Sequence, residues 1–132
     1  MNRAERVLPC VSAVFALFLM ATEAPAAGAP AVVSVFSAKV KGDGSAYLKK
    51  LQAGKALVMK QGAKSFRVFR AIYAGEGTSR VITVAEYENA EAFGKARVQR
   101  ADDPEFTKWV TDLVNSGLAE DVHASLLEEV QP

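Results

Sequence analysis

From Val32 onward the apolar positions alternate between a period of two residues and a period of 3.6, and each change of period marks a new element. Val32 to Lys41 (VVSVFSAKVK) is rich in β-branched residues, and Phe36, Ala38 and Val40 alternate with Ser37, Lys39 and Lys41, which predicts a strand. Gly42-Asp43-Gly44-Ser45 breaks it. Asp43 or Ser45 then offers a side-chain oxygen to the unpaired amides of a first helical turn. Leu48, Leu51 and Val58, flanked by Tyr47, Leu57 and Met59, form the apolar stripe of that helix; Gly54 weakens it in the middle and Gly62 stops it. Ser65 to Ala74 (SFRVFRAIYA) and Arg80 to Glu88 (RVITVAEYE) are two β-rich runs around a glycine-bearing connection, the signature of a hairpin. Asn89 caps a helix beginning at Ala90, with Glu91 in its first turn. Asp103-Pro104-Glu105 restarts that helix, because proline at the first helical position has no amide to lose. Phe106, Trp109, Val110, Leu113 and Val114 then recur at i, i+3, i+4, i+7 and i+8, Gly117 ends the segment, and Asp121 to Val130 (DVHASLLEEV) supplies a last strand.

The order strand, helix, strand, strand, helix, strand predicts an α+β domain of ferredoxin-like plan, with an antiparallel sheet carrying its helices on one face. Both faces of the central strands are apolar, however. In the second strand Phe66, Val68 and Ile72 oppose Phe69, Ala71 and Tyr73; in the third, Ile82 and Val84 oppose Val81, Ala85 and Tyr87. Helices on one side leave the other as an apolar patch larger than soluble monomers expose. The expected solution is a homodimer in which two sheets pack face to face.

The N-terminal residues change the picture of where this domain works. Arg3 and Arg6 outweigh Glu5, the apolar run Val11 to Met20 follows, and small residues come next, the layout of a secretory signal. The run is shorter than the about 20 apolar residues of a spanning helix, so no stable membrane anchor is expected after cleavage. Ala24-Pro25-Ala26 is an A-x-A cleavage site. Residues 1–26 therefore read as a signal peptide, 27–31 as a flexible mature N-terminus and 32–132 as the domain, in a protein that is periplasmic or secreted. Cys10, the only cysteine, leaves with the signal and takes disulfide and thiolate chemistry with it. The formal net charge is +1, and the basic residues are scattered among acidic ones without the one-sided cluster that a nucleic acid would reward.

The pattern resembles the dimeric α+β barrel superfamily, which includes NIPSNAP-like domains and cofactor-independent antibiotic-biosynthesis monooxygenases. The resemblance runs over nearly all of Val32 to Val130, and its most specific pieces are VITVAEYENAEAF (Val81 to Phe93) and ADDPEFTKW (Ala101 to Trp109). These look more NIPSNAP-like than monooxygenase-like. The resemblance implies the fold and leaves the activity open, since members range from enzymes to proteins of unknown activity.

Few residues offer chemistry. His123 is the only histidine, which excludes a multi-histidine metal site within one subunit and makes it the one candidate catalytic residue for proton transfer. Arg67 and Arg70 fall on opposite faces of one strand; Arg70 is the candidate for holding an anionic ligand group, while Glu86 shares a face with Ile82 and Val84. Tyr87 offers a hydrogen bond to a pocket or serves packing. Trp109 sits on the apolar stripe as a core residue or a pocket wall; a tryptophan lines the pocket in the monooxygenase branch, but its flanking sequence here does not reproduce that pattern. Gly75-Glu76-Gly77 lies in a hairpin and is no phosphate loop, and no nucleophile elbow is present. No metal or cofactor is expected from these motifs. Two readings stand: an exported, non-catalytic homodimer that binds a small, partly apolar ligand or a protein partner between helices and sheet, or a cofactor-independent monooxygenase or isomerase for an aromatic or quinone-like compound.

Overall fold

The computed structural model describes residues 28–72, 75 and 79–132. The expected signal peptide with its Ala24-Pro25-Ala26 site and Cys10, and Tyr73 with most of the hairpin turn, lie outside the described residues.

Alternation of β-branched and small residues places β1 at Val32–Val40, and β3 (Arg80–Tyr87) and β4 (Ala119–Glu128) pair with it antiparallel on either side. The hairpin partner β2 (Ser65–Arg70) flanks β3, giving the order β2-β3-β1-β4. The hairpin strand is shorter than its β-rich run, stopping at Arg70, and β4 begins two residues before the expected Asp121 and ends at Glu128. At its start the β4 register shifts between Ser37 and Lys39 of β1, and Asp121 takes the positive φ of 50° that this bulge requires.

The helices stand where their caps put them. In α1 (Ser45–Lys60) the Asp43 carboxylate accepts from the Ser45 amide at 3.0 Å, while Gly44 occupies the cap position with a left-handed backbone. For α2 (Ala90–Asp102), Asn89 accepts from the Ala92 amide at 2.9 Å. Asp103 caps α3 (Pro104–Asn115), accepting from the amides of Glu105 and Phe106. The expected restart is thus a sharp break between two helices, with Pro104 opening the second.

One sheet face receives the three helices of the described residues. Val81, Thr83, Ala85 and Tyr87 of β3 are buried there, with Val32 and Ala38 of β1 and Phe66 of β2 beside them. Against them α1 buries Tyr47, Leu51, Gly54 and Val58, a face in which the glycine is a packing position. The other face carries Val33, Val35, Ile82, Val84, Phe69 and Leu127, and Phe69 and Leu127 are 47% and 53% exposed. No helix among the described residues is long and apolar enough to cross a membrane.

Candidate functional site

Between the helices and the sheet lies a cavity of about 570 Å³. Its floor is Ser34, Phe36, Phe66, Thr83 and Ala85 of the sheet; Leu51 and Val58 of α1 form one wall. The opposite wall comes from the end of α2 and from α3, including Phe106, Trp109, Val110 and Leu113. This accounts for an oddity of α3: it has the strongest apolar stripe of the three helices, yet buries no residue completely. Its apolar side packs only partly against the core and also lines the cavity.

Trp109 anchors that wall. Its indole Nε1–H donates to the Lys50 carbonyl at 2.7 Å, tying α3 to α1, and its ring meets Phe106 edge-on with centroids 5.5 Å apart. The ring also covers Gly54 so closely that a Cβ there would fall onto it. Trp109 packs against two neighbouring clusters of the core and also lines the cavity.

At the α2 end, polar groups converge. Gln61, buried at the C-terminus of α1, donates from Nε2 to Asp103 at 3.1 Å and accepts from Arg100 Nε at 3.1 Å. Arg100 also donates to the Tyr87 hydroxyl, and its guanidinium lies over the Tyr87 and Phe106 rings at 5.6 and 5.3 Å. Desolvation, the largest influence on the Asp103 carboxyl, works to raise its pKa. Hydrogen bonds from the Phe106 amide, the Gln61 side chain and the Glu105 amide, together with nearby Lys60, outweigh it and hold the group below its ordinary value.

The residues singled out from sequence do not come together. Tyr87 is fully buried beneath the cavity and reaches it only through Arg100. Arg70 stands at the sheet edge, its Nη2 donating to the Asp43 carbonyl at 2.7 Å. Glu86 points to the opposite face, where it accepts from the Ser65 hydroxyl at 3.3 Å. His123 pairs with Ser37 on β1 and so faces that side as well, 66% exposed, with its Nε2 2.9 Å from Asp121. Asp121 is shared with Arg80, which also donates to the Ser37 hydroxyl at 2.7 Å; the hydrogen bond from Arg80, foremost, holds the Asp121 carboxyl below its ordinary value. Of the candidates, Trp109 alone lines the cavity.

Sequence reasoning missed Phe36, Phe66, Phe106, Arg97 and Arg100 as lining residues. A usable signal was present for the arginines: at positions three apart on a helix they share one face, next to a helix break. Among the described residues no group of three or more His, Cys, Asp or Glu side chains could hold a metal ion.

No protein-family model and no curated protein sequence matches the chain. Solved structures do. SnoaB, a cofactor-independent oxygenase from Streptomyces nogalater, is 18% identical and superimposes with a TM-score of 0.61 over 79% of this chain and 97% of its own. A NIPSNAP family protein from Agrobacterium tumefaciens is 17% identical, with a TM-score of 0.60 over 77% of this chain and 88% of that one. A second NIPSNAP family protein from the same organism, of unknown function, is 12% identical with a TM-score of 0.59, covering 77% and 90%. At such identities the likeness speaks for the backbone plan and not for a shared activity. With its four-stranded antiparallel sheet, its helices on one face and these neighbours, the chain has a ferredoxin-like α+β fold, the fold of these NIPSNAP family proteins and of SnoaB.

Proposed function

We propose that this protein is an exported homodimer that binds a small, largely apolar ligand between helices and sheet. The observation that carries the reading is the cavity of about 570 Å³, walled by Phe36, Phe66, Phe106 and Trp109, over which an amphipathic helix lies without burying its apolar face completely. That size and lining are those of small-molecule sites in general. A second copy of the chain is the partner that fits the opposite sheet face, where Val33, Val35, Phe69, Ile82, Val84 and Leu127 form one apolar surface. Export rests on the order of charge, apolar run and A-x-A site in residues 1–26.

The uncharged bicyclic probe 2-naphthamide tests the cavity. Calorimetric titration is expected to show one molecule bound per chain, with the single tryptophan's indole N–H resonance shifting in step. Absence of binding up to millimolar concentration overturns the reading. Light scattering of secreted material is expected to give twice the mass of a chain starting near Ala27; a non-aggregating monomer overturns the dimer, and retained Met1 and Cys10 overturn export.

A second reading, a cofactor-independent oxygenase for an electron-rich aromatic compound, is favoured by the aromatic wall and by the fold shared with SnoaB. Its polar groups would be those of the cavity, Arg100, Ser34 and Thr83, in place of His123 and Arg70. Oxygen uptake with a panel of hydroxynaphthalenes no faster than in protein-free buffer would exclude these substrates and leave the binding reading alone.

A further inference from the structure

We infer that the ligand of this cavity carries a carboxylate, received by Arg100 and Arg97 where α2 meets α3, while its aromatic body lies against Phe66, Phe106 and Trp109. The inference rests on the cavity being a ligand site and adds the chemical class of what it takes.

Among the lining residues Arg97 and Arg100 are the only charged ones, in a wall that is otherwise mostly apolar. They stand three residues apart on α2 and so project from the same side of the helix, one turn from each other. Two other helical cations are paired one turn away, Lys95 with Glu91 at 2.8 Å and Lys108 with Asp112 at 2.8 Å. Here, among the described residues, no carboxylate lies within 4.0 Å of either guanidinium. Of the acidic residues at this junction, Asp103 is taken by the amides of Glu105 and Phe106 and by Gln61, while Asp102 and Glu105 form no ion pair among the described residues.

Arg100 is also oriented in advance. Gln61 holds its Nε, the Tyr87 hydroxyl accepts from its Nη2, and the Tyr87 and Phe106 ring centroids lie 5.6 and 5.3 Å from its guanidinium carbon. Nη1 makes no hydrogen bond to the described residues. A guanidinium fixed on one edge and open on the other matches an oxyanion with little further loss of freedom. Arg97, exposed and without a hydrogen-bonded partner among the described residues, supplies a second, adaptable cation. Two such cations one turn apart repel each other, and an anion between them removes that repulsion. The four aromatic lining residues select a flat apolar body on the same molecule.

The experiment compares 2-naphthoate with 2-naphthamide, probes of equal shape that differ in charge. The wild-type protein is expected to bind naphthoate at least tenfold more tightly by calorimetry, with the advantage shrinking as salt is raised. Arg97→Gln, at an exposed position, is expected to cut the advantage threefold or more. Arg100→Lys, which keeps the charge and loses the fork, is expected to cut it further; circular dichroism verifies that each variant is folded. Equal binding of both probes by the wild-type protein, or an advantage untouched by Arg97→Gln and a folded Arg100→Lys, overturns the carboxylate assignment and leaves the cavity reading standing. Failure of both probes to bind overturns the two together.

Discussion

Replacing Gly54 by alanine inverts an ordinary rule and measures how tightly α1 and α3 are joined. In an exposed helix interior this change stabilises by about 0.5–1 kcal/mol, because glycine loses more backbone freedom on folding. Here the new Cβ would lie 2.6 Å from Trp109 Cη2 and nearer still to two other ring atoms, inside the 3.0 Å limit that real Cβ atoms respect. The ring has little room to yield, since Nε1 is bonded to the Lys50 carbonyl of the same helix and its edge meets Phe106. Overpacking of this kind costs about 1–3 kcal/mol, and release of the indole hydrogen bond adds about 0.5–1.5 kcal/mol. Set against the gain in helix propensity, the net expectation is a loss of about 0.5–4 kcal/mol, centred near 2. For a domain of roughly 100 residues the central value lowers the melting temperature by about 8–16 °C. Urea unfolding monitored by circular dichroism gives the free energy directly. Combining Gly54→Ala with Trp109→Leu tests the cause: with the ring gone, the alanine is expected to be neutral or stabilising relative to Trp109→Leu alone. A Gly54→Ala protein as stable as wild type would refute the contact, and equal losses in both backgrounds would refute the ring as its origin.

Truncating Trp109 itself to alanine is expected to cost about 3–5 kcal/mol, as for other large packed aromatics, and also to abolish naphthamide binding; a variant with wild-type melting temperature would refute its packing role. Acid should weaken the α1–α2–α3 junction through Asp103. Because its folded pKa is lowered, its contribution is fully present above the unfolded value of about 3.9 and is lost as pH falls through the folded value. Asp103→Asn keeps a capping oxygen but does not titrate, so its stability deficit at pH 7 is expected to shrink as urea unfolding is repeated toward pH 3. A deficit independent of pH would refute the carboxylate's role.

Local rules made much of this chain legible. Asn89 and Asp103 cap helices because their short side chains reach amides two or three residues ahead, and Pro104 opens α3 because its ring suits a first turn; both follow from a few consecutive residues. Period-two alternation likewise told which side chains share a sheet face, and Phe66 and Phe69 do lie on opposite faces. Alternation is symmetric, however, and contains nothing to say which face the helices take. Only tertiary packing decided that His123 and Glu86 look away from the cavity while Ser34, Phe36 and Thr83 look into it. The same holds for Gly54, which local propensity marks as a weak point in a helix and which in the folded protein is the seat of an indole supplied from far along the chain. The Arg100 cluster joins the end of α1, a strand and two helices, so no window of sequence contains it. Short-range geometry is written in neighbouring residues, whereas a site assembled from distant ones exists only once the core has brought them into register.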